Sequence, residues 1–241
     1  MLYIIGLGLN VDGISTYGLE VVKKCKKVYL ENYTVDFPYS MQELIDKLGK
    51  KFELADREFV ESFEIIDEAG KKDVALLVYG SPFFATTHIA LIQEAKASEL
   101  RYKVIYNASV FDALGETGLQ LYKFGKISSM PMWKKNYEPD SFIDIVKENE
   151  SINAHSLILI DPGMTIDNTI IQLEKTAKNK GVKLGKLIVC QALGTRHRKI
   201  LYRDFSELKK FSNVKSPYCI IIPGKLHFLE KEMLENYEEK D

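Results

Sequence analysis

The 241-residue chain carries 33 basic and 34 acidic side chains, a formal net charge of −1. It therefore offers no basic field for sequence-independent attachment to nucleic acid, and its length fits one large domain or two of about 120 residues each. Cys25, Cys190 and Cys219 form an odd set without Cys-x-x-Cys spacing, which argues against a disulfide frame or a zinc site and for buried thiols in a reducing, cytoplasmic setting. No apolar run reaches membrane-spanning length and the start lacks the pattern of a secretory leader, so the expectation is a soluble protein with no membrane partner.

The opening Met1-Leu-Tyr-Ile-Ile-Gly6-Leu-Gly8-Leu9-Asn10 predicts a strand that ends in a glycine turn, where backbone can come close to a ligand. It is not the dinucleotide fingerprint, which needs a third glycine running straight into a helix; position 11 is Val, and Gly13 comes two residues late. Ser15 is placed to cap a helix, with Ile14 and Leu19 as a hydrophobic staple. Strands and helices then alternate: a helix near Leu19 to Cys25, a strand at Val28 to Leu30, a helix at Met41 to Leu48 and the strand Val74 to Val78. A helix from about Thr87 to Ala97, the strand Lys103 to Tyr106 and a helix near Val110 to Leu114 follow. This alternation predicts a parallel sheet.

Around Ser128 to Trp133 both periodicities lapse and Pro131 disfavours helix before it. The boundary is expected there, giving an N-terminal α/β domain over 1–127, a linker over 128–133 and a C-terminal α/β domain over 134–241. The second half reads as a helix at Phe142 to Lys147, the strand Ser156 to Ile160 and a helix near Thr165 to Lys178. Then come the strand Leu187 to Ala192, a helix at Phe205 to Phe211, the strand Tyr218 to Ile222 and a charged, solvated terminal helix. The fold class is thus α/β, as two α/β domains, and since ligands of open α/β sheets sit beyond the carboxyl ends of the strands, a cleft between them is the expected ligand site.

Two strand ends carry the chemistry. The first runs Gly80-Ser81-Pro82-Phe83-Phe84-Ala85-Thr86-Thr87-His88, with hydroxyls and aromatics at a strand-to-helix junction; the second runs Tyr106-Asn107-Ala108-Ser109-Val110. Free N–H groups and hydroxyls there suit a polar or anionic ligand. Thr86 or Thr87 serves equally well as a plain helix cap, and taken alone Ser109 reads as a cap before it reads as a ligand contact.

Taken together the segments resemble the diphthine synthase branch of the tetrapyrrole methylase superfamily. The resemblance spans nearly the whole chain. It rests on Leu2 to Leu9, Gly18-Leu-Glu, Lys23-Lys-Cys, Glu31-Asn-Tyr-Thr34, Ala85-Thr-Thr-His88, Gly118-Leu-Gln-Leu-Tyr-Lys-Phe-Gly125 and Pro223-Gly-Lys-Leu-His227. It implies a tetrapyrrole methylase-like fold with S-adenosylmethionine between two α/β domains, and methyl transfer to the modified histidine of translation elongation factor 2 in diphthamide biosynthesis. A homodimer is also implied. Carried over residue by residue, the cofactor contacts are Leu9, Ser81, Phe84, Ser109, Val110, Ile160, Leu193 and Cys219, many through main-chain atoms. The family usually has Gly-Asp-Pro where this chain reads Gly80-Ser81-Pro82. A neutral hydroxyl there holds a donor group less strongly than a carboxylate, because charge-assisted hydrogen bonds are roughly twice as strong as neutral ones.

A sulfonium methyl needs only an aligned acceptor in a dry site, so neither metal nor nucleophilic side chain is called for. An amine acceptor must lose a proton and a carboxylate need not. None of His88, His155, His197 and His227 is assigned as a base. The run Arg196-His197-Arg198-Lys199 is either a solvated loop or a surface for an acidic partner. Methylation of a tetrapyrrole or another small molecule, and an inactive binding module suggested by Ser81, stay open as alternatives. A nicotinamide oxidoreductase is disfavoured by the missing glycine.

Overall fold

The structure, a computed structural model, describes residues 1–208 and 213–238 and divides into two compact units, Met1–Val110 and Phe111–Asp241. The first unit runs β1 (Leu2–Gly6), α1 (Thr16–Lys24), β2 (Lys27–Glu31), α2 (Met41–Leu48), β3 (Glu53–Ala55), α3 (Arg57–Glu61), α4 (Glu64–Lys71), β4 (Val74–Val78), α5 (Ile89–Ala97) and β5 (Tyr102–Ile105). Its sheet has the order β3-β2-β4-β1-β5 and every pairing is parallel. Strands buried on both faces should read as continuous apolar runs, and Val74-Ala-Leu-Leu-Val78 does so with all five residues buried.

Side-chain alternation divides that sheet between two cores. Leu2, Ile4, Leu76 and Val78 pack with Ile65, Ala69, Leu91 and Ala95 of α4 and α5; Ile5, Ala75 and Leu77 pack with Val21, Val22, Leu44 and Leu48 of α1 and α2. Helices therefore cover both faces and leave the carboxyl ends of the strands to the loops. The caps follow from sequence. Ser15 accepts from the Gly18 N–H, and Ser40 with Glu43 closes a reciprocal capping box before α2, which stops at a left-handed Gly49. Strand β3 escapes a periodicity reading because Glu53 and Leu54 are exposed at the sheet edge.

The chain continues through α6 (Val110–Ala113) and two short 3-10 turns, Leu114–Thr117 and Leu121–Lys123, into the second unit. There β6 (Ser128–Met130), α7 (Ser141–Ser151), β7 (Ser156–Ile160), α8 (Ile166–Lys180), β8 (Lys186–Gln191), β9 (Lys199–Asp204), α9 (Phe205–Leu208), β10 (Tyr218–Ile222) and α10 (Phe228–Glu235) build a sheet of order β6-β7-β10-β8-β9. The expected boundary over 128–133 does not fall at a linker. Ser128–Met130 pair in parallel with β7 as an edge strand, too short to show a period, and Pro131 ends it.

The second sheet is mixed. Only β6 and β7 are parallel, while β10 runs antiparallel to both β7 and β8. The connection 192–198 is too short for a crossover, so β8 and β9 must form a hairpin, turned by left-handed Ala192 and Gly194. Lys199, Arg203 and Asp204 mask β9 in sequence. Of the helix expected over Phe205 to Phe211, Phe205–Leu208 is present and 209–212 lie outside the described residues. Phe142, Ile143 and Val146 of α7, Ile170 and Leu173 of α8, and Ile158, Val189 and Ile220 of the sheet make the core. No helix among the described residues is long and apolar enough to cross a membrane.

The terminal helix is less solvated than its charges suggest, because Glu230 and Leu234 are wholly buried. Glu230 accepts from the backbone N–H of Gln120 (2.9 Å) and His227 (2.7 Å), pairs with Lys123, and meets Nε2 of buried His155 at 3.1 Å. His155 Nδ1 accepts from the Gly224 N–H at 2.9 Å, so Nε2 carries the proton of a neutral ring. Burial pushes the Glu230 carboxyl up, but Lys123, the two backbone donors and His155 outweigh it and bring the pKa down to about 2. Burial holds His155 below its ordinary value, against the pull of Glu230.

A depressed carboxylate stabilises the fold above its ordinary pKa of 4.5 and loses that contribution as pH falls toward 2. His155, depressed as well, adds a loss of the same sign as pH drops below 6.5. The substitution Glu230→Gln is expected to cost roughly 1–3 kcal/mol at neutral pH by leaving buried donors unmatched. It should also flatten the acid limb of stability between pH 4.5 and 2, read by urea unfolding across pH.

Candidate functional site

Three loops converge at the carboxyl edge of the first sheet, after β1, β4 and β5. Past the strands, Leu7 donates to Val78 O at 2.9 Å, and Gly8 and Gly80 exchange a reciprocal pair of main-chain bonds of 3.1 and 3.0 Å. Both glycines are left-handed, at φ 72° and 70°, a conformation costly for other residues. Asn107, the second residue beyond β5, ties in the third loop: its Nδ2 donates to Gly6 O (3.0 Å) and Gly13 O (2.8 Å), and its Oδ1 accepts from Ala108 N (2.8 Å).

The glycines admit protein before they admit ligand. A Cβ on Gly6 would lie 2.6 Å from Gly80 O, 2.8 Å from Pro82 Cδ and 2.9 Å from Asn107 Cβ, and one on Gly8 would stand 3.0 Å from Asn107 Oδ1. The opening turn is thus glycine-rich because three loops interlock there. That geometry sets Leu9, Ser81 and Ser109 on one edge, since a Cβ on Gly80 would fall 3.7 Å from both Ala108 O and Ser109 Cα.

Of the first-unit residues expected at the site, Leu9 and Ser109 are buried and Ser81, Phe84 and Val110 are half-buried. The Leu9 carbonyl accepts a 2.9 Å bond from Tyr79 Oη. Tyr79 packs with Phe37 (5.5 Å between centroids) and Tyr39 (6.4 Å), and burial pushes the phenols of Tyr39 and Tyr79 well up. Tyr39 Oη finds no hydrogen-bond partner among the described residues. Sequence reading gave Tyr79 and Asn107 no role; the one signal available was their position immediately at or beyond a strand end.

The Gly80-to-His88 segment is strained. Phe83 and Ala85 are left-handed at φ 70° and 55°, each costing on the order of 1–3 kcal/mol, and such outliers gather at functional sites. Neither Thr86 nor Thr87 caps the following helix. α5 begins at Ile89 with His88 at the cap position and no side-chain cap bond. His88 is buried, and its Nε2 lies 3.3 Å from Tyr33 Oη. Burial pushes its pKa below the ordinary value, against the pull of Glu31.

In the second unit Ile160 closes β7, Leu193 follows β8 and Cys219 lies near the start of β10. Because β10 opposes both neighbours, with Cys219 facing Leu159 and Cys190, these three residues share one edge of that sheet. Leu193 and Cys219 are buried and Ile160 half-buried. Cys190 and Cys219 are free thiols, like Cys25, and the bond to Cys219 together with burial holds the Cys190 thiol well above its ordinary range. Arg196 to Lys199 lie in and just after the β8–β9 turn, where Arg198 pairs with Glu116 at 2.9 Å. That part of the basic run is engaged within its own unit.

Comparisons with known proteins agree with this architecture. The family model for tetrapyrrole (corrin/porphyrin) methylases matches residues 1–209. Diphthine methyl ester synthase of Saccharomyces cerevisiae is 37% identical, covering 97% of this chain and 88% of the relative. A protein of Arabidopsis thaliana named probable diphthine methyl ester synthase is 38% identical over 100% of this chain and 99% of its own. A crystal structure of diphthine synthase superposes with a TM-score of 0.89 at 31% identity, covering 98% of this chain and 95% of that one.

Replacing Gly6 with Ala should cost about 1–3 kcal/mol, the range for overpacking, because the three loops would have to part. Urea unfolding measures it; Gly70→Ala in α4, where a Cβ meets nothing within 4 Å and Ala is the better helix former, is the control that should not destabilise.

Proposed function

The chain belongs to the tetrapyrrole methylase family and, within it, to the diphthine synthase branch, and from that premise we propose that it transfers methyl groups from S-adenosylmethionine to the modified histidine intermediate of translation elongation factor 2 in diphthamide biosynthesis. The observation that carries this reading is the main-chain lock between Gly8 and Gly80, which assembles an edge of apolar walls, hydroxyls and backbone at the ends of a parallel sheet. Such an edge is where α/β sheets hold ligands.

The residues present fit the donor. Leu9, Phe84 and Val110 offer apolar surface for an adenosine, and the Ser81 and Ser109 hydroxyls offer hydrogen bonds. In the wall beside Leu9, Tyr39 Oη still has capacity for a partner. Ile160, Leu193 and Cys219 are carried as contacts by the family resemblance. The donor, when bound, supplies a methyl already activated on a sulfonium. What remains for the protein is to align an acceptor at near-attack distance and to exclude water, which can account for much of the acceleration. An apolar wall suits a reaction in which a positive charge disappears from the donor.

The elongation factor as protein substrate, a homodimeric assembly and a cytoplasmic setting belong to the same proposal, supported by the branch resemblance and, for the setting, by three reduced cysteines. Incubation with methyl-labelled S-adenosylmethionine and elongation factor carrying the unmethylated intermediate should place label on that histidine. Label on a tetrapyrrole, or on nothing, overturns the reading. Because a hydroxyl stands at Ser81, Ser81→Asp should tighten S-adenosylmethionine binding by about tenfold, equivalent to ~1.4 kcal/mol for a charge-assisted bond in place of a neutral one. Calorimetric titration measures it.

A further inference from the structure

Two of the branch-specific segments, Glu31 to Thr34 and Ala85 to His88, meet in a buried polar cluster that the reading above leaves without a task. Glu31 closes β2 fully buried, and its carboxylate accepts from Tyr33 N (2.7 Å), Thr34 N (2.8 Å) and Thr34 Oγ1 (2.6 Å). Tyr33 in turn meets His88 Nε2 at 3.3 Å through its hydroxyl, with the rings edge-on at 6.2 Å. The other imidazole nitrogen, Nδ1, is buried with no partner among the described residues, and so is Thr86 Oγ1 two residues earlier.

An orphaned buried polar atom costs about as much as a lost hydrogen bond and calls for an explanation. Here two fall within three residues of a strained loop at the end of a sheet strand. A base with one nitrogen fixed, the other unpartnered and a carboxylate nearby has the arrangement that general bases share. We propose that His88 receives the proton that an amine acceptor gives up before methylation, with Tyr33 and Glu31 as positioning residues and the unpartnered Thr86 hydroxyl as a second contact for the arriving ammonium. This rests on the methyltransferase reading above.

In the step, the ammonium N–H bond breaks and its electron pair stays on nitrogen, while the proton joins the Nδ1 lone pair. The freed nitrogen pair forms the bond to the methyl carbon as the carbon–sulfur pair returns to sulfur, leaving a neutral thioether. Tyr33 Oη accepts from Nε2–H throughout, and the Glu31 carboxylate faces the imidazolium so formed. The charged groups around this cluster are Glu31 on β2, Arg57, whose guanidinium lies 5.2 Å over the Tyr33 ring, and Asp56 and Glu61 near that phenol. A carboxylate acceptor has no proton to lose, so His88 is irrelevant to ester formation.

The test compares His88→Gln and Thr86→Val with the full wild-type chain, counting methyl groups by intact mass of the elongation factor before and after mild alkaline hydrolysis, which removes the ester methyl alone, after confirming unchanged melting temperature and S-adenosylmethionine affinity. Amine methylation should slow by about 100-fold or more with ester methylation within about twofold. Its rate should flatten near neutral pH in the wild type and climb steadily with pH in His88→Gln. If His88→Gln fails to fold, Thr86→Val and Tyr33→Phe carry the same comparison.

Independently of turnover, ¹⁵N spectra of the ligand-free protein should show Nδ1 of His88 as the unprotonated nitrogen. Equal loss of both methyl types, no loss, an unchanged pH profile, or a proton on Nδ1 overturns the assignment of His88. A wild-type chain that adds no methyl at all overturns instead the reading on which it rests.

Discussion

The reciprocal bond pair between Gly8 and Gly80 is the constraint on which the first unit's site depends. Parallel strands end with unpaired main-chain groups, and the loops that follow are free to diverge unless something ties them. Here two left-handed glycines, each two residues beyond β1 or β4, close an antiparallel bridge, and Asn107 ties in the loop after β5 with two hydrogen bonds to Gly6 and Gly13 carbonyls. A side chain on Gly6 would prevent the closure. The edge that results is tied across three loops, and its left-handed non-glycine residues, Phe83 and Ala85, lie next to the residues that bear unsatisfied polar atoms.

Burial acts alike on the histidines of the two units, but their hydrogen bonding differs. In the second, His155 has both ring nitrogens engaged, by Gly224 and Glu230, and belongs to a buried cluster that seats α10 against the segment 118–125. In the first, His88 has one nitrogen engaged and one unpartnered. Burial disfavours the charged form of each ring, yet only His88 keeps a buried ring nitrogen without a partner among the described residues. Equal depth in the protein therefore does not imply an equal role.

Most of the first sheet was legible in the residues. Val74 to Val78 is apolar throughout because it is covered on both faces, Ser15 sits where α1 needs its cap, and the strand ends hold the hydroxyls. Less could be read in the second. β9 mixes Lys199, Arg203 and Asp204 with its apolar positions, and β6 is three residues long, so neither gives a period. Antiparallel pairing there follows from the short β8–β9 connection, a feature visible only once β9 is known. The meeting of Tyr33 with His88, 55 positions apart, is likewise a product of the parallel order of β2 and β4, which no local pattern encodes. Tyr79 and Asn107 were hidden for a related reason, since each acts on a loop distant in sequence.

The central claim is that the strand-end edge of the first unit receives the methyl donor. Backbone amide spectra recorded while S-adenosylhomocysteine is added test it most directly. The largest shifts should fall on Leu9, Ser81, Phe84, Ser109 and Val110, with little change along α2 or α4. Binding that leaves those five amides unmoved, or saturable shifts centred elsewhere in the unit, would contradict it.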